Sequence, residues 1–516
     1  MKWKQGIAIV LAGTCLCVGL LGCQKNKQTE YGSGEVETQK ETNQSSNVKA
    51  VDSFALAYNP VDSMDPLSCT SAENQLISQL CFERLFVLND AFEPKKQLCD
   101  SFEQVDDRIY KLTVRSDATF HSGQPVTAAD VVFSLNNARL REDSTYQDQL
   151  SCISSVKYND DEVTIRLYRQ NANLAALLDV PIIRKGTDED DCPDGSGPYR
   201  FVMSDGKALL ASCEHWRKGK VGFCKTIALK SVKDPAAAME LLNSGEISLL
   251  MQTDAEHAEG KTKQMESVPS TRMHYLGINC DMKPYDEQKV RTALSMLLDR
   301  ETIVKTCLTD KADATSVPLL SVPKNVKTVE YDPEKALDLL KDAGIYDRDG
   351  DGYLDISRGR QFKIEMIYNE KYGTKGAVLQ QCAKTWTEVG IQTTVTPLTF
   401  EECQAHLRRE SFELYYGEYD MTADFDISSL ISTNGERNFS GYYDSDMEKA
   451  LRAFTTTSGD ERQEVVKDYI DCFVEQTPII PIAFERTCIA ASTKLPKQFD
   501  PWPNDIFHDI ENWSAS

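Results

Sequence analysis

The chain is short of histidine, with six residues in 516. None stands in an HExxH, CxxC or paired-His spacing that would converge ligands on one ion, so a zinc or haem enzyme is disfavoured and no metal or cofactor is expected. Basic charge is short as well: 57 Lys and Arg face 80 Asp and Glu, a formal charge of −23. With no basic stripe and no aromatic–basic interleaving, the electrostatic footprint for phosphate backbones is missing, which excludes nucleic acid as a partner. GxSxG and Walker motifs are absent, and the scattered Cys and His form no local nucleophile signature. No internal repeat and, past the leader, no bilayer-spanning apolar run occurs. What is present, 41% hydrophobic and 27% charged residues, suffices for a sizeable core in more than one domain and rules out wholesale disorder.

Lys2 and Lys4 precede an apolar run over residues 6–21. That run is short of the ~20 residues a spanning helix needs, so residues 1–22 read as a signal peptide. Its end, Leu20-Leu21-Gly22-Cys23, resembles the bacterial lipobox. The resemblance implies cleavage before Cys23 and a diacylglyceryl group on its thiol, a membrane anchor at ~0.8 kcal/mol per buried CH₂. An ordinary secretory peptide or an uncleaved anchor is the alternative. Residues 24–50 hold almost nothing apolar, so residues 23–50 form the lipidated cysteine and a disordered tether. Thirteen of the 16 cysteines are scattered from Cys69 to Cys488. An odd number at irregular spacing is no disulfide framework; they read as small buried hydrophobes, with one or two disulfides left open.

The remainder reads as mixed α and β. Thr127 caps a helix starting at Ala128, with Asp130 at its third position. Asp332-Pro333 starts another that ends at Gly344, with Leu337 and Leu340 inward. Val290, Ala293, Leu294, Leu297 and Leu298 form one apolar helical stripe, ordinary core. Phe362, Ile364, Met366 and Tyr368 alternate with polar residues, a helical stretch follows through Trp386 to Gly390, and Ile391, Thr393 and Val395 alternate again. This predicts a β-α-β unit with a parallel strand pair.

Residues 120–135, FHSGQPVTAADVVFSL, resemble the signature FxxGxPVTAxDVxxSL of the solute-binding proteins of ABC importers, in the peptide, oligopeptide and nickel-binding branch (family 5). In the same order as in that family stand Met64-Asp65-Pro66, Leu112-Thr113-Val114-Arg115, Gly195-Ser196-Gly197-Pro198-Tyr199, Ser244-Gly245-Glu246, Val290-Arg291-Thr292-Ala293-Leu294 with Asp299-Arg300, and Pro478-Ile479-Ile480-Pro481. The resemblance covers residues 51–516. It implies an α/β fold of two lobes, the type II Venus-flytrap form of periplasmic binding proteins. Lobe I would span 51–272 plus 486–516 and lobe II 273–485, with hinge strands near residues 275–279 and 478–484. The implied function is capture of short peptides between the lobes and delivery to a membrane permease driven by a cytosolic ATPase. It also implies a monomer, with no bond chemistry, lipid-anchored on the outer face of the bacterial cell membrane.

Peptide capture needs a carboxylate for the free α-amino group, backbone groups to pair with the ligand, and roomy side-chain pockets. In the family the amine anchor lies in a stretch resembling WxxDYxxP. The matching stretch here begins Met421-Thr422-Ala423-Asp424-Phe425, with methionine for tryptophan and no proline at its end. The match makes Asp424 the anchor candidate and Met421, Thr422 and Ala423 candidate contacts; Tyr58 and Asn59, at the end of the first strand, are further cleft candidates. The bland alternatives are a solvated acid beside Glu418, Asp420 and Asp426, core filler for Met421, and a plain strand end for Tyr58 and Asn59. The departures keep other cargo open: a nickel chelate, haem, an oligosaccharide or a signalling peptide. A secreted hydrolase with a nonlocal site is the remote alternative. Asp347, Asp349, Asp351 and Asp355 resemble the start of a calcium loop with Gly352 at its sixth position, but Arg358 occupies position twelve, where a bidentate glutamate belongs, so an Asp/Gly-rich turn competes with a cation site.

Overall fold

The computed structural model describes residues 54–252, except 220 and 222, and residues 264–514, except 372. The expected signal peptide, the lipid site Cys23 and the tether to residue 50 lie outside these. Among the described residues no helix is long and apolar enough to cross a membrane.

The local signals read in the sequence act as their chemistry dictates. The Thr127 N–H donates to the Asp130 carboxylate at 2.9 Å, closing the first turn of helix Ala128–Leu140. Gly123 turns the chain ahead of it at φ 83°, and Val131 and Leu135 are buried in the core. The Asp332 side chain accepts from the Lys335 N–H at the start of helix Pro333–Asp342, and Gly344 leaves that helix at φ 82°. Strands Lys363–Asn369 and Gln392–Leu398 pair in parallel around helix Gly373–Glu388, as the alternation predicts.

The paired Gly195 and Gly197 have a packing reason. A Cβ on either would come within 2.1 to 2.4 Å of a backbone oxygen, Cys81 for Gly195 and Leu80 for Gly197, so only glycine lets this segment lie against the end of helix Ala72–Cys81. Two arginines of the helical blocks serve as buried staples. Arg291 donates to the carbonyls of Tyr285, Asp286, Gln476 and Thr477, and Arg300 to Pro481 and Ser295.

An eleven-stranded sheet organises the molecule. From one edge it runs Gln392–Leu398, Lys363–Asn369, Leu414–Asp420, Gln264–Ile278, Ile480–Ala491, Leu249–Gln252, Ala55–Tyr58, Thr226–Ser231, Lys207–Ser212, Tyr199–Ser204, with Ala312–Ala314 beside Ile480–Ala491. The central pair is antiparallel, from Gln264 opposite Ala491 to Leu276 opposite Ile480. These two strands are longer than the hinge segments expected at 275–279 and 478–484. The outer part of Gln264–Ile278 is largely polar and contains Pro269, and pairing with the buried apolar end of Ile480–Ala491 rather than its own apolar alternation holds it.

One large apolar core gathers Leu56, Ile77, Val131, Ile165 and Ile227 with Trp513. A second holds Val290, Leu294, Ile364, Trp386 and Ile482, and a third Tyr275, Phe425, Phe454, Tyr469 and Phe484. This is the two-lobe α/β fold, with long strands passing between the lobes.

All thirteen described cysteines are free thiols, eight of them buried. The disulfides left open in the sequence do not form among them. Burial pushes Cys69, Cys152 and Cys382 up to about 12, so these thiols stay protonated and act as small hydrophobes.

Candidate functional site

Strand Leu414–Asp420 ends in a tight turn that carries Asp424. Phe425, at φ 55°, turns the chain in the left-handed region that a bulky side chain rarely adopts. Its ring is locked edge-on between Phe92 and Phe484, with centroids 5.6 and 6.3 Å away. Packing thus holds a strained turn, and the turn aims the carboxylate.

That carboxylate is 7% exposed. Oδ2 accepts from Asn171 Nδ2 at 2.7 Å and Oδ1 from Thr422 Oγ1 at 2.5 Å. Burial raises the Asp424 carboxyl above its ordinary 3.8; the Thr422 bond opposes the shift, the neighbouring Asp426 charge adds to it, and the Asn171 bond opposes it again.

Asp424 lies in the wall of two cavities. One, of about 560 Å³, is also lined by Asp148, Cys152, Arg169, Asn171, Tyr419, Thr422, Asp426 and Arg437. The other, about 370 Å³, is lined by Phe92, Ala172, Leu319, Ala423, Phe425 and Arg462 among others. The first wall is charged. Arg169 donates to Asp426 at 3.1 Å, and the Arg437 guanidinium lies 5.3 Å over the Tyr419 ring.

Of the residues expected at the site, Thr422 and Ala423 therefore join Asp424, one in each cavity wall. Met421 is buried in the third core and is absent from both walls. Tyr58 packs on Phe201 with centroids 5.6 Å apart, and the Asn59 backbone is tied to the Asn74 side chain on both sides; neither lines these two cavities. Asn171, Arg169, Tyr419 and Arg437 were not singled out in the sequence. Asn171 is 253 residues from Asp424, and no local pattern marks it.

The acidic turn brings carboxylate oxygens of Asp347, Asp349 and Asp355 within 4.8 Å of one another. Asp351 instead accepts from Gln361, and Asp347 accepts the N–H groups of Gly350 and Gly352, the pattern of a self-bonded turn.

Residues 93–441 match the model of the bacterial extracellular solute-binding proteins, family 5, middle region. The glutathione-binding protein GsiB of Salmonella paratyphi A is 24% identical over 486 residues, covering 87% of this chain and 90% of GsiB. The ABC transporter substrate-binding protein CtaP of Listeria monocytogenes superposes with a TM-score of 0.70 at 20% identity, covering 90% of this chain and 100% of that one. A nickel ABC transporter structure from Bacillus halodurans gives 0.73 at 19% identity, covering 88% and 97%. The chain belongs to the bacterial extracellular solute-binding proteins of family 5, receptors that hand a solute to an ABC importer and carry out no bond chemistry.

Proposed function

We propose that the protein captures short peptides between its lobes, residues 51–272 with 486–516 on one side and 273–485 on the other, and delivers them to a membrane permease. In this reading Asp424 receives the peptide's α-ammonium, and Arg437, stacked on Tyr419 in the same cavity wall, faces the ligand's carboxylate. The carrying observation is the buried Asp424 carboxylate at a cavity of about 560 Å³. A carboxylate with so little water is costly to leave ionised, and an incoming ammonium offsets that cost. The volume lies within the ~300–1,000 Å³ of pockets that enclose small ligands, as a short peptide requires. The relatives named for glutathione, itself a tripeptide, support the same class. A diacylglyceryl group on Cys23 would hold the receptor at the membrane, with residues 24–50 as tether.

The test is native mass spectrometry of residues 24–516 purified without refolding, followed by denaturing release and sequencing of whatever is bound. The expected result is a mixture of short peptides, with the load lost in Asp424→Ala. A metal chelate or sugar as cargo, or an unchanged peptide load in Asp424→Ala, overturns the assignment.

A further inference from the structure

Away from the cavities beside Asp424, the middle of the large sheet buries a second polar cluster. His274 lies on strand Gln264–Ile278, directly opposite Glu418 on one neighbouring strand and opposite Ala483 on the other, two residues from Glu485. The register slips between His274 and Tyr275, a local irregularity of the kind that re-aims a side chain.

The imidazole is almost wholly buried. Its Nδ1 pairs with the Tyr416 hydroxyl at 2.7 Å. Its Nε2 lies 3.0 Å from Glu485 Oε1 and is buried with no assigned hydrogen-bond partner. Each glutamate turns its other oxygen to a cation: Glu418 Oε2 lies 2.7 Å from Lys375 Nζ and Glu485 Oε2 3.7 Å from Arg272. Both Oε1 atoms are thereby left toward the imidazole, at 3.8 Å from Nδ1 for Glu418, and one ligand atom from each of the three residues lies within 4.8 Å of the other two.

The three ligand atoms lie close enough together to face one ion. A neutral imidazole with Nδ1–H held by an oxygen leaves the Nε2 lone pair free, which is how ligating histidines are oriented. One nitrogen and two carboxylate oxygens suit a borderline divalent ion such as Zn²⁺. We infer that His274, Glu418 and Glu485 form a divalent transition-metal site within the sheet that joins the lobes, separate from the solute cavities. Two of the three ligands sit on the long strands that pass between the lobes, so the ion would tie those strands together.

The test loads chelator-stripped residues 24–516 with ZnCl₂ under reducing conditions and reads stoichiometry by native mass spectrometry and affinity by calorimetry. One Zn²⁺ per chain is expected. Affinity should drop by at least about tenfold in Glu485→Gln and in Glu418→Gln, and stay unchanged in Asp349→Asn in the acidic turn. Circular dichroism verifies folding of each variant, and the two conservative glutamines decide the matter should His274→Gln fail to fold. Co²⁺ substitution separates ligand types: nitrogen and oxygen ligands give d–d bands alone. No retained Zn²⁺, equal affinity in both glutamine variants, or a cobalt–thiolate charge-transfer band marking a cysteine site overturns the inference.

Discussion

Burial of Asp424 carries a cost that Asn171 and Thr422 offset in part and that, in the proposed site, a ligand ammonium would offset further. Replacing Asp424 with alanine should weaken peptide binding by about 2–4 kcal/mol, as for a desolvated, charged hydrogen bond losing one side; calorimetry with a peptide recovered from the protein measures it. Asp426→Ala should cost ~0–1 kcal/mol, since its partner Arg169 is largely exposed and solvent screens the pair. The pH dependence follows from the raised Asp424 carboxyl. Only the carboxylate form attracts an ammonium, so affinity should fall on acidification from pH 7, starting above the ordinary carboxylate range. Without ligand the sign reverses. The Asp424 contribution to stability is fully present below its unfolded pKa and is lost as pH rises through the folded one. Thermal melts from pH 4 to 7 should therefore show a ligand-induced gain in Tm that shrinks toward acid, and Asp424→Asn should flatten that trend. A parallel pH response in parent and variant would remove Asp424 from the site.

Elements differ in how openly the sequence declares them. Helix Ala128–Leu140, helix Pro333–Asp342 and the parallel β-α-β unit were legible because each is fixed by local chemistry: a cap, a proline, an alternation. The central strands were placed only through the family resemblance, near residues 275–279 and 478–484, and their full extent was not legible, because it is set by their neighbours. Tyr275 and Tyr415 cross over glycines of the opposite strand, and their hydroxyls meet at 3.2 Å. A Cβ on Gly417 would come 2.3 Å from the Tyr275 ring, and one on Gly277 2.0 Å from that of Tyr415. Glycine here makes room for an aromatic ring rather than for an unusual φ, which no single-strand pattern reveals. Gly417→Ala should accordingly destabilise the protein by about 1–3 kcal/mol, the usual cost of overfilling a packed site, seen as a lower urea midpoint. An unshifted midpoint would mean that the tyrosines yield freely. Asp424 itself was reached through the resemblance of its turn, whereas Asn171 and Arg437 become visible only when the fold closes the distance.

At the scale of the whole molecule, the segment after strand Glu162–Leu167 links regions far apart in sequence. Arg169 pairs with Asp426, Gln170 Nε2 donates to the Thr456 carbonyl, Asn171 donates to Asp424, and the Ala172 N–H donates to the Thr455 carbonyl. The Asn171 carbonyl is in turn held by the Tyr110 hydroxyl at 2.9 Å, which roots the segment in the first core. In the proposed division these four bonds all cross between the lobes. Asn171 donates to the same Asp424 carboxylate that a peptide's ammonium would meet, so the protein makes for itself part of that contact. Closure then has two sources: the segment's own bonds, worth about 1 kcal/mol or less where exposed and more at the buried Asn171, and the ligand. Removing the first source should expose the second. The double variant Arg169→Ala with Asn171→Ala should give a larger radius of gyration than the parent in small-angle scattering without peptide, and the parent value once peptide saturates it. Binding should still close the lobes through Asp424, but from a more open start. Identical ligand-free radii would show that residues 169–172 do not hold the lobes together, and would leave the two long strands to set the resting angle between them.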